Sequence, residues 1–239
     1  LNYHKGRIYF WSKESNWGDI KSFTITNKDD QKSVIPQLYN NLLMQTFFTE
    51  HYIICKYKNS GTNFFNFYDY DGTFVRKIDV PSGMDVEYEY YDEETRDFYF
   101  GVYSYVLPFR NFKINILTGA EQPFFSATNR AKATLFPINY FETKTISYQS
   151  RDNVTIPITI IYKKGVLLDG NNPTLLKAYG GFGVVSSPSY DTGLLYFLEK
   201  GGVFAYPEIR GGGEKGKKWH TDGKGLTKMN TFNDFIDAA

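Results

Sequence analysis

Two glycine-rich stretches organise this sequence: Tyr179-Gly180-Gly181-Phe182-Gly183 and Glu208-Ile209-Arg210-Gly211-Gly212-Gly213-Glu214-Lys215-Gly216. Glycine lets a backbone approach a ligand closely, and Tyr179 and Phe182 offer a hydroxyl and an apolar wall. A strand-like apolar run leads into each stretch. The pattern therefore predicts one side of an active site. The sequence contains no G-x-S-x-G nucleophile elbow, so this pattern does not supply the attacking group.

The overall composition is that of a globular protein with little net charge. Lys and Arg number 27 against 26 Asp and Glu, so no long-range field attracts nucleic acid or a membrane surface. No run approaches the ~18 apolar residues of a membrane helix. With one cysteine the chain forms no internal disulfide, and we interpret Cys55 as a small buried strand residue.

The first part of the chain predicts antiparallel sheets. Aromatic residues make up 18% of the chain, and they favour half-buried strands. Up to about residue 130, short apolar runs such as 52–57 and 64–70 alternate with polar turns such as 71–72 and 117–119. The length of this region allows two or three four-stranded units of the kind found in propellers.

From about residue 131 the pattern changes to an alternation of strands, loops and helices, which predicts an α/β layer. The predicted elements are a hairpin over 145–149 and 154–162, strands over 174–179 and 202–206, and helices over 193–200 and 230–239. In the last helix Phe232, Phe235 and Ile236 share one face. We therefore predict two domains, residues 1–130 and residues 131–239.

Residues 211–216 also satisfy the G-x-G-x-x-G pattern of dinucleotide-binding proteins and nearly match a phosphate-binding loop. The residues that follow carry two further glycines and no apolar stripe, which disfavours the required helix. Lys218 stands where a Ser or Thr hydroxyl should hold Mg²⁺. We interpret the segment instead as a tight turn that carries Arg210 and Glu214 as an internal ion pair.

Neither a metal nor a cofactor is predicted. His4, His51 and His220 are far apart in sequence, and Cys55 is alone, so no zinc-binding spacing occurs. We interpret His220, beside Trp219, as a packed or hydrogen-bonded loop residue. Three serines, Ser186, Ser187 and Ser189, lie in a polar stretch that is typical of a loop.

Four blocks resemble the front half of the catalytic domain of prolyl oligopeptidases: 176–182, 197–205, 209–220 and 233–239. Residues 150–157 resemble the hairpin with which that domain begins. The resemblance implies that residues 1–130 are the last blades of a seven-bladed β-propeller. It further implies that residues 131–239 are the first part of an α/β-hydrolase domain, which ends before the nucleophile.

The family resemblance implies a serine endopeptidase that hydrolyses short peptides on the carboxyl side of proline with a Ser-Asp-His triad. Tyr179 matches the tyrosine that donates to the oxyanion, and Phe182 matches the aromatic that lines the proline pocket. The triad would lie beyond Ala239, so residues 1–239 alone are expected to be inactive. The parent enzyme is expected to be a monomer that acts on oligopeptides without a cofactor, in the cytoplasm or else the periplasm.

Three alternatives stay open. The last block is also similar to the branch of the family that cleaves after basic residues. The chain is alternatively a non-catalytic, propeller-type binding module. Phe182 is alternatively an ordinary buried aromatic residue.

Overall fold

The computed structural model describes residues 1–123, 135–137 and 139–239. Residues 1–123 form three antiparallel sheets, each of four strands in chain order. The first contains β1 Asn2–His4, β2 Arg7–Ser12, β3 Asp19–Thr24 and β4 Asn27–Ile35. The second contains β5 Leu42–Phe48, β6 Ile53–Asn59, β7 Thr62–Tyr68 and β8 Phe74–Asp79. The third contains β9 Asp85–Tyr91, β10 Asp97–Tyr103, β11 Arg110–Asn115 and β12 Glu121–Pro123.

Local turn chemistry explains the tight hairpins. Between β6 and β7 the two loop residues are Ser60 and Gly61, with φ of 35° and 80°. Lys5 and Gly6 between β1 and β2 likewise have φ of 44° and 84°. Two consecutive positive φ angles match the right-handed twist of the flanking strands, which is why such loops close hairpins.

The central strands of the second sheet, β6 and β7, are buried on both faces because this sheet packs between the other two. Side chains alternate across a strand. On β6, Ile54 contacts the aromatic core shared with the third sheet, which includes Phe65 and Phe98. Its neighbour Cys55 belongs to the core shared with the first sheet, beside Tyr9. The prediction that Cys55 is a buried strand residue is thus confirmed.

A fourth, mixed sheet has the order β13-β14-β16-β15. Its strands are β13 Phe141–Gln149, β14 Thr155–Lys163, β15 Thr174–Leu176 and β16 Val203–Pro207. The helix α1, Thr192–Glu199, connects the parallel strands β15 and β16, and it buries Leu194 and Leu198 against Ile161 and Phe204. Asp191 caps α1 by accepting from the backbone N–H of Gly193 at 2.7 Å.

Two further α-helices follow the start of the second glycine-rich stretch, α2 Gly216–Thr221 and α3 Met229–Ile236, with a short 3-10 helix, Gly225–Thr227, between them. The predicted hairpin, strands and helices after residue 140 are therefore present. The expectation that residues 211–216 lead into no helix is wrong, because the six-residue α2 begins at Gly216. The predicted domain boundary at 130 and 131 lies outside the described residues.

The apolar face predicted for α3 is largely exposed. Phe232 is 51% exposed, Phe235 36% and Ile236 59%, whereas the buried residues of α3 are Thr231 and Asp234. Polar contacts to the rest of the chain therefore dock this helix. Within the described residues, no helix is long and apolar enough to cross a membrane.

Candidate active site

The loop after β15 presents Tyr179 and Phe182 at the surface. Tyr179 is 54% exposed and Phe182 is 87% exposed, and Phe182 adopts the left-handed φ of 55°. The alternative in which Phe182 is an ordinary buried aromatic residue is therefore wrong. A left-handed backbone at a bulky residue is strained, and such strain is common at functional sites.

The two glycine-rich stretches lie in direct contact. The backbone N–H of Gly183 donates to the carbonyl of Gly211 at 3.0 Å, and that of Gly213 donates to the carbonyl of Val184 at 3.1 Å. On the other side of the loop, Lys228 Nζ donates to the carbonyl of Gly180 at 2.8 Å. These bonds hold the backbone of the loop while both aromatic side chains stay outside.

Close packing explains the glycine at position 180. It has a φ of 58°, and a Cβ there would lie 2.5 Å from Cγ1 of Ile209 and 2.6 Å from Cγ2 of Thr231. Both separations are far below van der Waals contact. A side chain at this position would displace the loop from the second glycine-rich stretch, so the sequence needs glycine here for steric reasons.

Arg210 forms a buried ion cluster with partners outside its own turn. Its guanidinium donates to Asp234 from Nε at 2.9 Å and from Nη2 at 2.6 Å, and to Asp152 from Nη1 at 2.6 Å. Asp234 is fully buried and Arg210 is 4% exposed. The predicted ion pair between Arg210 and Glu214 is therefore wrong, because the hairpin and α3 supply the carboxylates.

Glu214 lies in a second buried cluster, together with Lys58 and Glu208. Lys58 Nζ lies 2.9 Å from Oε1 of Glu208, and these two side chains are 9% and 7% exposed. Burial, and then the nearby Glu208, raise the pKa of Glu214 to about 7. Spacing along the sequence does not reveal this cluster, because Lys58 belongs to β6 of the second sheet, far along the chain from Glu214.

The aromatic residues of α2 anchor the second glycine-rich stretch. Trp219 is buried, and its Nε1 donates to the carbonyl of Glu208 at 3.1 Å. His220 Nδ1 lies 2.9 Å from the carbonyl of Gly211. The interpretation of His220 as a hydrogen-bonded residue is confirmed, although it lies on a helix instead of a loop.

The three loop serines do not assemble a nucleophile. Tyr206 donates from Oη to Oγ of Ser186 at 2.6 Å. Across the parts of the chain that the structure describes, no serine hydroxyl is hydrogen-bonded to a histidine. The loop therefore carries candidate substrate contacts without a candidate serine–histidine pair.

A histidine and two carboxylates do meet at the turn between β5 and β6. His51 Nδ1 lies 2.8 Å from Oε2 of Glu93, and the backbone N–H of Glu50 donates to Oε1 of Glu93 at 2.6 Å. Spacing alone did not reveal this group because Glu93 follows β9. Both oxygens of Glu93 have protein partners, so the arrangement is explained without a metal ion.

A cavity of about 470 Å³ adjoins the loop on the side of the first sheet. Its walls include Trp11, Trp17 and Leu43 on one side and Gly183, Val185 and His220 on the other. Small-molecule and peptide sites have volumes of roughly 300–1,000 Å³ and mostly apolar walls. The space beside Gly183 therefore has the dimensions of a ligand site.

A model of the prolyl oligopeptidase family matches residues 188–239. Among curated proteins, the prolyl endopeptidase of Elizabethkingia meningoseptica is 36% identical over 187 residues, which cover 78% of this chain and 26% of that protein. The chain thus spans about a quarter of the length of this relative.

Solved structures resemble the whole chain. One, from a structural and mechanistic study of two prolyl endopeptidases, superposes with a TM-score of 0.88 at 26% identity and covers 99% of this chain and 35% of that chain. Prolyl oligopeptidase B from Galerina marginata, bound to a 35mer hydrolysis and macrocyclization substrate, superposes with a TM-score of 0.87 at 24% identity. This match covers 100% of this chain and 34% of that chain, and at 24% identity it shows only that the two share a fold. The chain therefore belongs to the prolyl oligopeptidase family of serine peptidases.

Proposed function

We propose that this chain supplies one side of the active site of a serine endopeptidase that hydrolyses short peptides on the carboxyl side of proline. The observation that carries the proposal is the loop that exposes Tyr179 and Phe182 while backbone bonds hold it against the second glycine-rich stretch. Family membership supports the reaction type. The nucleophilic serine, its histidine and the orienting aspartate come from outside residues 1–239.

The same proposal covers the architecture. The three antiparallel sheets are consecutive blades of a seven-bladed propeller, which residues 1–130 help to build. Residues 131–239 are the first part of an α/β-hydrolase domain, in which the mixed sheet carries the loop after β15. The cavity between the first sheet and this loop supports a substrate path along the contact between the two domains.

Tyr179 is assigned to the oxyanion. When a serine attacks the carbonyl carbon, negative charge develops on the carbonyl oxygen. A phenol O–H aimed at that oxygen donates more strongly in the transition state than in the ground state. Removing one such donor costs about 10²–10³ in kcat. Because the hydroxyl of Tyr179 sits on an exposed side chain, it is accessible to a bound peptide.

Phe182 is assigned to the proline pocket. Its ring is 87% exposed, so a substrate pyrrolidine can cover it without displacing a protein side chain. Burying an aromatic face against an apolar ring contributes roughly 1.5–3 kcal/mol. A flat apolar wall favours proline over a basic side chain, because it offers no partner to an ammonium or guanidinium group.

The proposal is tested with the full-length protein and two peptide series that differ only in proline or arginine before the scissile bond. Tyr179→Phe is expected to lower kcat about 10²–10³-fold for the proline series and to leave KM nearly unchanged. The matched control is Tyr196→Phe, since Tyr196 is also exposed but lies on α1.

Two results would overturn the proposal. Faster cleavage after arginine would favour the basic-residue branch of the family. Equal kcat values for the wild type and Tyr179→Phe would remove Tyr179 from the oxyanion site.

A further inference from the structure

The buried cluster of Lys58, Glu208 and Glu214 joins the second sheet to the second glycine-rich stretch. Lys58 lies on β6, Glu208 directly follows β16, and the two form an ion pair of 2.9 Å. Glu214 is 6% exposed, and its charge acts on both Lys58 and Glu208. The buried region therefore contains two carboxylates and one ammonium group, of which only Glu208 pairs directly with Lys58.

One oxygen of Glu214 has no partner. Oε1 accepts from the backbone N–H of Ser186 at 3.3 Å. Oε2 is buried and has no hydrogen-bond partner among the described residues, and it packs against Gly212. An ionised carboxylate in this position leaves a buried charge unsolvated, which is costly. A proton on Glu214 removes that charge and leaves one carboxylate matched to one ammonium.

The surrounding groups are consistent with a proton at this position. Burial by itself lowers the pKa of Lys58, but Glu208 and then Glu214 raise it above its ordinary value, so the lysine stays charged. Burial first, and then Glu208, raise the pKa of Glu214 from 4.5 to about 7, although Lys58 opposes the shift. The other titratable groups that face the cluster are Tyr105, Tyr206, Asp85 and Lys215.

Glu214 also holds the loop that carries Tyr179 and Phe182. Its Oε1 binds the backbone of Ser186, whose hydroxyl accepts from Tyr206 at 2.6 Å. A small cavity of about 40 Å³, lined in part by Lys58, Ser186 and Glu208, lies beside the cluster. A space of this size can admit water, which would solvate the charges if the contact opened.

We infer that Lys58, Glu208 and Glu214 form a proton-dependent latch, which holds the second sheet against the second glycine-rich stretch and positions the Tyr179 loop. With Glu214 protonated, the contact is closed. Ionisation places two carboxylates beside one lysine and favours opening, which releases the backbone of Ser186. This inference does not depend on the proposed peptidase activity, because the opening of the latch is measured without a substrate.

The direction of the pH effect follows from the raised pKa of Glu214. The closed state binds the proton more tightly than the open state. Its added stability is therefore complete below the ordinary pKa of 4.5, is lost as pH rises towards about 7, and changes no further above it. The difference between these two values corresponds to at most roughly 300-fold in the opening constant.

The test compares the full-length wild type with Glu214→Gln, which keeps the shape of the side chain and cannot ionise. Amide hydrogen exchange of residues 208–216 and of β6 is measured from pH ~5 to ~9. The ratio of wild-type to variant rates cancels the pH dependence of chemical exchange. We expect this ratio to rise up to roughly 40-fold between pH ~5 and ~7 and by no more than about a further factor of two up to pH ~9. A ratio that is constant throughout overturns the inference.

Further variants separate a latch from a merely structural ion pair. Lys58→Met is expected to speed amide exchange and to move the inflection of the rate against pH to a higher pH. Lys58→Arg is expected to restore both the exchange rate and the position of the inflection. The matched control is Asp97→Asn, on β10 of the third sheet. Asp97 pairs with Lys113 at 2.9 Å, and the hydrogen bond from this lysine lowers its pKa. This control should leave the inflection in place, and its loss in Asp97→Asn would contradict the assignment to Glu214.

A measurement on the wild type keeps the inference testable if a variant does not fold. Infrared spectroscopy of the full-length protein should show a protonated carboxyl band that disappears with a midpoint near pH 7. Absence of this band below the midpoint would mean that Glu214 is ionised in the closed state, which overturns the latch.

Discussion

Replacing Asp234 with asparagine tests how much the ion cluster around Arg210 contributes to stability. Asp234 is fully buried and accepts three hydrogen bonds from Arg210, one from its backbone N–H at 3.0 Å and two from its guanidinium. Asparagine keeps the shape but loses the charge and one acceptor, and it turns an amide N–H₂ group towards the guanidinium. The variant thus leaves a buried cation with an incomplete partner set.

The expected loss in the free energy of unfolding is about 3 kcal/mol. Removing one partner of a buried ion pair costs roughly 3–5 kcal/mol, because the remaining charge is left without compensation. The lower end applies here since Asp152 still accepts from the guanidinium at 2.6 Å and asparagine keeps one acceptor oxygen. A loss of this size raises the unfolding constant about 10²-fold.

The assay is urea unfolding of the full-length protein, followed by tryptophan fluorescence. Trp219 reports on this region because it is buried and bonded to the carbonyl of Glu208. The matched control is Asp237→Asn, since Asp237 pairs with the half-exposed Arg151 at 2.7 Å just beyond α3. Solvent screens such a pair, so the control should lose much less stability. Equal losses for the two variants would refute the reasoning from burial.

Three further results are expected with the full-length protein. Phe182→Ala should lower the preference for proline about tenfold and change the free energy of unfolding by less than about 0.5 kcal/mol, because the ring is 87% exposed; a large loss of stability would argue for a packing role. Gly180→Ala should lower the free energy of unfolding, measured in urea, by about 3 kcal/mol, because the new Cβ would lie 2.5 Å from Ile209 and the backbone φ is positive. The control Gly201→Ala should lower it by about 1 kcal/mol, because φ is positive there too but the space around it is open. Cys55 should react with a thiol reagent only as fast as the protein unfolds, since burial raises the pKa of its thiol to about 12; rapid labelling of the folded protein would contradict its burial.

The elements were predictable where local rules decide them. Apolar alternation predicted the hairpin of β13 and β14, and Asp191 with its following apolar residues is typical of a helix start, as found for α1. The resemblance of four blocks to one family also depended on sequence alone. The α2 helix was missed because it is short and begins at Gly216, which has a low helix preference, and its stability comes from burying Trp219.

The sequence by itself determined the two glycine-rich stretches, the strand periodicity and the family, because these depend on residue type and spacing. Only the tertiary structure decided which charges meet. Arg210 binds Asp152 and Asp234 instead of Glu214, and Glu214 shares the region around Lys58 with Glu208. Charge pairing is strong only where water is excluded, and burial is a property of the packed chain that spacing along the sequence does not contain.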